Sequence, residues 1–330
     1  LVYGTNTITL KDVAGNEATY TFTYDNVGPT ITVKEGYVGD LEKKVFSNVS
    51  FSLYDDYEVI AYKINDGEYG QFTANKWSDA NFQNIVGRLV YGTNTITLKD
   101  VAGNEAVYEF VYDNVKPGPR VVGITGFFNE AEGADAHYIT TGESVRILTY
   151  YDEKLGTAPM VKIGNKEFQT YYAEQSSSEE NGSYAYYADI KITQDLGLSD
   201  GEIQFSIHGH KDAAGNEGRA YTNADVTYTE SSPYEIRYDK VILDNTAPEF
   251  NVTSGTHSEN TMEITITDDN YNYAKIVNQD NGVSENVDKP IFTLQQEATY
   301  HIYAYDKAGN VTDLWVAIDN DSPTITIQGN

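Results

Sequence analysis

The sequence predicts an all-β fold, arranged as a tandem array of β-sandwich modules. Three observations predict it: a near-verbatim repeat with strand periodicity, a tight-turn motif used four times, and a proline-marked joint that follows the turn. Residues 1–27 read LVYGTNTITLKDVAGNEATYTFTYDNV and residues 89–115 read LVYGTNTITLKDVAGNEAVYEFVYDNV, the same segment 88 residues later with three differences. Repetition at a fixed offset marks a modular array. The differences, Thr19/Val107, Thr21/Glu109 and Thr23/Val111, share one parity, while Ala18, Tyr20, Phe22 and Tyr24 hold the other unchanged. Successive strand residues point to opposite faces, so the constant parity is the expected core face and the varied one the outside.

The turn between the two strands of the repeat is Asp12-Val13-Ala14-Gly15-Asn16, and it returns at Asp100–Asn104, Asp212–Asn216 and Asp306–Asn310. Gly and Asn sit where positive φ is easiest, and the Asp carboxylate can cap neighbouring amides, so each copy reads as a β-hairpin. A second mark, Asp-Asn followed by proline, stands at Asp25-Asn26 with Pro29, Asp113-Asn114 with Pro117, Asp244-Asn245 with Pro248 and Asp319-Asn320 with Pro323. A sheet does not continue through such a proline, so each pair marks a joint where a new module begins.

The joints divide the chain into the closing hairpin of one module (1–25), three modules (26–115, an enlarged 116–245, and 246–321) and the opening strand of another (322–330). The parent protein is therefore expected to extend beyond both ends. Within 26–115, Thr30–Lys34, Asn48–Leu53 and Glu58–Asn65 read as strands, Asn65-Asp66-Gly67-Glu68 as a turn, and Ser78–Val86 as a short helix near Trp77.

Composition agrees and excludes several functions. Tyr numbers 28 and Cys 0, so strand formers dominate and neither disulfides nor thiolate chemistry is available. Lys and Arg total 22 against 50 Asp and Glu, a formal charge of -28, which repels nucleic acid and anionic membranes. No apolar run reaches the roughly 18 residues that span a bilayer.

On the four Asp-x-Ala-Gly-Asn loops, the Asp-Asn-x-x-Pro joints and the segment Gly142–Phe168, the chain resembles the bacterial immunoglobulin-like (Big-type) tandem repeats of surface adhesins and secreted multidomain proteins. The resemblance covers essentially the whole chain and implies immunoglobulin-like sandwiches that pack against neighbouring modules, in an extracellular setting at a cell surface, in a cell wall or secreted. It identifies a fold better than a function. The middle module departs from the compact pattern through Tyr172–Tyr186 and Arg219–Tyr234, which makes it the expected carrier of any specificity.

Two candidate sites follow. Asp12, Asn16, Asp100, Asn104, Asp212, Asn216, Asp306 and Asn310 offer oxygen ligands to calcium near module ends, where Asp25, Asp113, Asp244 and Asp319 would converge; the competing reading is that these residues only shape turns, since no dense Asp-x-Asp-x-Asp-Gly loop is present. Tyr171, Tyr172, Tyr184, Tyr186 and Tyr187 form the aromatic group expected to meet a host or matrix glycan or protein, against a reading in which they are core residues. The acid pairs Asp55-Asp56 and Asp268-Asp269 read as surface turns, because strand neighbours point apart and cannot flank one bond. His208-Gly209-His210 is a lone His-x-His pair without a third ligand. No nucleophile elbow, zinc-protease helix or phosphate loop occurs, so no enzyme is expected. The sequence leaves two function classes: a non-catalytic stalk or adhesin segment, or an accessory region of a large secreted glycosidase or protease whose catalytic domain lies outside this segment.

Overall fold

The computed structural model describes residues 1–72, 85, 87–126, 137–174, 177, 182–226 and 240–325. They group into two compact units, one of Leu1–Pro117 with Glu153–Thr157 and His210–Gly218, the other of Gly118–Asp152, Ala158–Gly209 and Arg219–Asn330. Among the described residues, no helix is long and apolar enough to cross a membrane.

The first unit opens with a hairpin, β1 (Gly4–Lys11) and β2 (Glu17–Tyr24). A first sandwich follows, of β3 (Thr30–Val33), β4 (Val38–Asp40), β5 (Val45–Asn48), β6 (Phe51–Tyr54), β7 (Val59–Ile64), β8 (Gly70–Gln71), β9 (Gly92–Asp100) and β10 (Glu105–Tyr112). One layer runs β4-β5-β10-β9-β7-β8 and the other is β3-β6. Phe46, Phe51, Ile96, Leu98 and Phe110 close the core between them. The expected strand Asn48–Leu53 is two strands instead: the chain leaves β5 and enters β6 in the other layer, with Val49 buried at the crossing. Asn65 takes positive φ (52°) to turn β7 into β8, as its side chain tolerates. The expected helix Ser78–Val86 lies outside the described residues apart from Ile85, which is buried; of the opening strand expected within 322–330, the described residues 322–325 form no strand and the rest lie outside them.

In the second unit come β11 (Pro119–Gly126), β12 (Tyr138–Ile139), β13 (Ser144–Tyr151), β14 (Met160–Ile163), β15 (Lys166–Gln169), β16 (Tyr171–Tyr172), β17 (Tyr184–Lys191), β18 (Gly201–Glu202), β19 (Phe205–His208), β20 (Tyr221–Thr222) and β21 (Ile242–Leu243). They form β11-β13-β17-β16 against β15-β14-β19-β20, with β12-β21-β18 alongside. A third sandwich has β22 (Glu249–Phe250), β23 (Gly255–His257), β24 (Met262–Thr267), β25 (Tyr271–Asn278), β26 (Ser284–Val287), β27 (Ile291–Leu294), β28 (Ala298–Asp306) and β29 (Val311–Ile318). Its layers are β22-β24-β27 and β23-β29-β28-β25-β26.

One device recurs in all three. An early strand pairs in parallel with the last: β5 with β10, β12 with β21, and β23 with β29. All other strand pairs among the described residues are antiparallel. This two-layer arrangement, with an early strand switched onto the closing strand, is the immunoglobulin-like form of the sandwich.

The repeated segment shows what makes a core. In β9, Ile96 and Leu98 are fully buried, whereas the identical residues of β1, Ile8 and Leu10, are 48% and 68% exposed. Among the described residues β1 and β2 pair only with each other, so their apolar face meets no second sheet. Strand formation is local to the hairpin; burial, worth about 1.5–3 kcal/mol per large aliphatic side chain, comes from the opposing layer.

Candidate metal centres at the joints

Each Asp-x-Ala-Gly-Asn loop builds the same geometry. The Asn backbone N–H donates to Asp Oδ1 at 2.8 Å in Asp12/Asn16, 2.8 Å in Asp100/Asn104, 2.9 Å in Asp212/Asn216 and 2.8 Å in Asp306/Asn310. Its side-chain Nδ2 donates to Oδ2 of the same Asp at 2.7–2.8 Å. The loop glycine carries positive φ in every copy, 90°, 94°, 83° and 86°, a region other L-residues enter only with strain. The turn-shaping role of these residues is thus present in all four loops.

What distinguishes three of the loops is what they meet. Asn104 Nδ2 reaches the carbonyls of Asp25 (3.4 Å) and Val27 (3.3 Å), Asn216 Nδ2 that of Asp113 (3.0 Å), and Asn310 Nδ2 that of Asp244 (2.9 Å). The asparagine is a latch between the hairpin loop and the joint before it. Latching draws acids together: Asp25, Asp55 and Asp100 form one triad, Asp113, Glu153 and Asp212 a second, and Asp244, Asp268 and Asp306 a third, with one carboxylate oxygen from each within 4.8 Å of the others. Asp12 belongs to no such group, and Asp319 lies instead in an exposed set with Glu297 and Asp321.

Each triad draws on the same three places. The first acid is the joint aspartate, whose Oδ1 accepts from the amide two residues on, Val27, Val115 or Thr246. The second closes the strand before the sheet crossing: Asp55 after β6, Asp268 after β24, and Glu153 after β13, one position later with a longer side chain. The third is the loop aspartate, buried in every triad. Asp55 and Asp268, read from sequence as surface turns, are therefore triad members. The signal available was the recurrence of two acids at the end of an alternating strand, in Phe51–Asp56, Leu148–Glu153 and Ile264–Asp269.

The charge is poorly balanced. Among the described residues no ion pair joins Asp25, Asp55, Asp100, Asp113, Asp212, Asp244, Asp268 or Asp306 to Lys or Arg. Burial, and then the charge of Asp306 and Asp244, pushes Asp268 up to about 6. Burial also raises Asp55 beside Asp100 and Asp25, Asp113 beside Asp212, and Asp306 beside Asp244. Oδ2 of Asp25 is buried and accepts no hydrogen bond. Three convergent oxygens of like charge, with backbone carbonyls adjacent, suit a hard divalent cation by donor type, while imidazole and thiolate ligands are missing: no group of convergent ligands among the described residues contains a histidine. His208 lies 3.4 Å from Glu167, and Gly209, at φ 73°, turns the chain before the buried His210.

No family model matches the chain, and no curated protein matches it. Among solved structures, the mouse nectin-like molecule 4 ectodomain (Ig1-Ig3) is similar at 11% identity with a TM-score of 0.32, over 90% of this chain and 97% of that one. The protocadherin Gamma B2 extracellular cadherin domains 1-5 align at 11% identity and a TM-score of 0.21, over 98% of this chain and 73% of that one. The N-terminal Ig1-2 module of the Drosophila receptor protein tyrosine phosphatase DLAR aligns at 9% identity and a TM-score of 0.17, over 61% of this chain and all of that one.

The tyrosine group does not hold together. Tyr171 pairs with Tyr187 and Tyr172 with Tyr186, so strand alternation sends the two pairs to opposite faces, with Tyr184 sharing the face of Tyr186. Tyr186 is 3% exposed and packs edge-on to Tyr151 at 5.7 Å, which removes it from any surface site. Tyr171, 63% exposed, and Tyr187, covered by the Arg146 guanidinium at 4.8 Å, remain as a small outer pair.

Proposed function

We propose that this chain is a non-catalytic, extracellular segment of a bacterial surface protein, divided into immunoglobulin-like modules at 25/26, 115/116, 245/246 and 321/322. It acts as a stalk or spacer that also contacts host or matrix glycans or proteins, and its joints bind calcium. The observation that carries this reading is the recurrence of one construction at three joints: an asparagine latch and a triad of acids, drawn each time from the same three places. A role confined to turn shape needs only the Asp and Asn of the loop; it does not need the joint aspartate or the acid that closes the earlier strand. Calcium takes six to eight oxygens, so a triad, nearby carbonyls and water supply a coordination shell, and the cation cancels the repulsion that raises Asp268.

The test is calorimetry of the full chain with calcium, with magnesium and with chelator. Calcium is expected to raise the unfolding midpoints, by a binding contribution of about 1.4 kcal/mol per site at tenfold excess over Kd, and titration is expected to give up to three sites. Superimposable melts in calcium and chelator, with no heat of binding, would overturn the metal reading.

A further inference from the structure

The outer face of the five-stranded sheet in the third sandwich carries a platform of aromatic rings stacked on one another. Antiparallel register sets its side chains in rows across β25, β28 and β29: Tyr273 beside Tyr305, Lys275 beside Tyr303 beside Asp313, and Val277 beside His301 beside Trp315. Tyr273 and Tyr305 stack at 4.9 Å with 18° between planes, and His301 stacks on Trp315 at 3.8 Å with 23°. His301 is fixed at both nitrogens, with Tyr303 Oη 2.8 Å from Nδ1 and Asp313 Oδ2 2.8 Å from Nε2. Trp315 remains 45% exposed.

We propose that this platform binds an uncharged carbohydrate chain, with a sugar ring on the face of Trp315 that His301 leaves open and the chain running past the edges of the tyrosines. Three features select that occupant. The rings are already ordered by one another, so little side-chain freedom is lost when a flat apolar ring face settles on them. Neighbouring outward positions on β25, β28, β29 and the flanking strands, Ser284, Asn286, Thr256 and Thr299, are neutral donors and acceptors, and the charges at Lys275 and Asp313 cancel. In a chain of formal charge -28 such a locally neutral patch suits neither an anionic glycan nor a basic peptide. Three rows on three strands cover on the order of 200–300 Å², from strand spacings of about 4.8 Å and a repeat of about 6.8 Å between like-facing residues. A stable protein interface needs about 800 Å² per partner, whereas a few sugar rings fit the smaller area.

This deepens the surface-contact part of the proposed function and is independent of the joints, because these side chains lie on the opposite face of β28 from Asp306. The test is native affinity electrophoresis of the full chain through gels holding hydroxyethylcellulose, galactomannan or laminarin, with polygalacturonate as the anionic probe, each in calcium and in chelator. At least one neutral polysaccharide is expected to retard the chain. Trp315→Ala is expected to weaken retardation roughly tenfold while Tyr20→Ala, an exposed tyrosine elsewhere, leaves it unchanged. In a Trp77→Phe chain, whose remaining tryptophan is Trp315, the same polysaccharide is expected to shift the emission and shield it from quencher, a readout that needs no change to the platform. Absence of retardation by all three neutral polymers, retardation that survives Trp315→Ala, retention by polygalacturonate alone, or self-association abolished by Trp315→Ala would each overturn the proposal. None of these outcomes bears on the calcium melts.

Discussion

Replacing Asp268 by Asn is expected to change the stability of the third sandwich in opposite directions with and without calcium. Asn keeps an oxygen in the place of Oδ1, which accepts the Asn270 amide at 2.7 Å, but removes one of three converging charges. The rise of Asp268 from 3.8 to about 6 corresponds to about 3 kcal/mol of unfavourable charge at neutral pH. Coulomb's law for two charges at the 4.8 Å limit of the triad gives a similar figure, about 3.5 kcal/mol at an effective dielectric of about 20. Asp268 is only half-buried, so solvent screening reduces this to on the order of 1–2 kcal/mol. In chelator at pH 7, Asp268→Asn should therefore raise the midpoint of that transition by roughly 4–16 °C. With calcium at about a hundredfold excess over Kd, the wild-type triad gains about 2.7 kcal/mol that the variant loses in large part, and the order reverses.

The pH dependence has a defined sign. A carboxyl raised in the folded state holds its proton where the unfolded chain has released it, so stability in chelator falls as pH climbs from about 4 to about 6 and levels off above. Differential scanning calorimetry of the full chain at pH 5 and 7, in both media, reads all of this. A shift of the same sign in calcium and chelator would refute the reasoning, as would a slope between pH 5 and 7 that Asp268→Asn leaves unchanged.

Other expected outcomes follow from the same geometry. Asn310→Ala removes donations to the Asp244 carbonyl and the Asp306 carboxylate and should cost about 2–3 kcal/mol in denaturant titration, whereas Asn16→Ala, which removes a donation within its own exposed loop, should cost about 1 kcal/mol or less. Gly215→Ala meets both a positive φ of 83° and Val38 Cγ1 at 2.7 Å, and should lower the midpoint more than Gly15→Ala, which meets only the φ strain of about 1–2 kcal/mol. Ile96→Ala should destabilise the first sandwich by about 2–5 kcal/mol, while the same change at Ile8, in the same sequence, should cost less than about 1 kcal/mol.

Local features were legible in the sequence, and long-range convergence was not. Parity in the repeat identified Phe110 as core and Val107 as outer surface, because alternation is a property of the strand itself. The Asp and Asn of the hairpin loops stood out because their bonds close within five residues. Asp55 and Asp268 were passed over because their partners lie 45 and 38 positions away in chain order, at Asp100 and Asp306, and meet them only once the layers pack. The tyrosine group failed for the complementary reason: closeness in sequence grouped Tyr186 with Tyr187, and pleating parted them. The aromatic platform of the third sandwich was hidden in three strands, with one ring from β25, three from β28 and one from β29.

The near-verbatim hairpins have a consequence for assembly. β1–β2 and β9–β10 differ only at outward positions, so both present the same apolar face to the slot that β7 and β5 leave open in the first sandwich. Chain entropy discriminates weakly between such rivals, since closure cost grows only with the logarithm of loop length. A nascent chain thus carries its own competitor for one docking position, and neighbouring copies can exchange hairpins across molecules. Within the two hairpins, the side chains that differ are the outward Thr19, Thr21 and Thr23 against Val107, Glu109 and Val111.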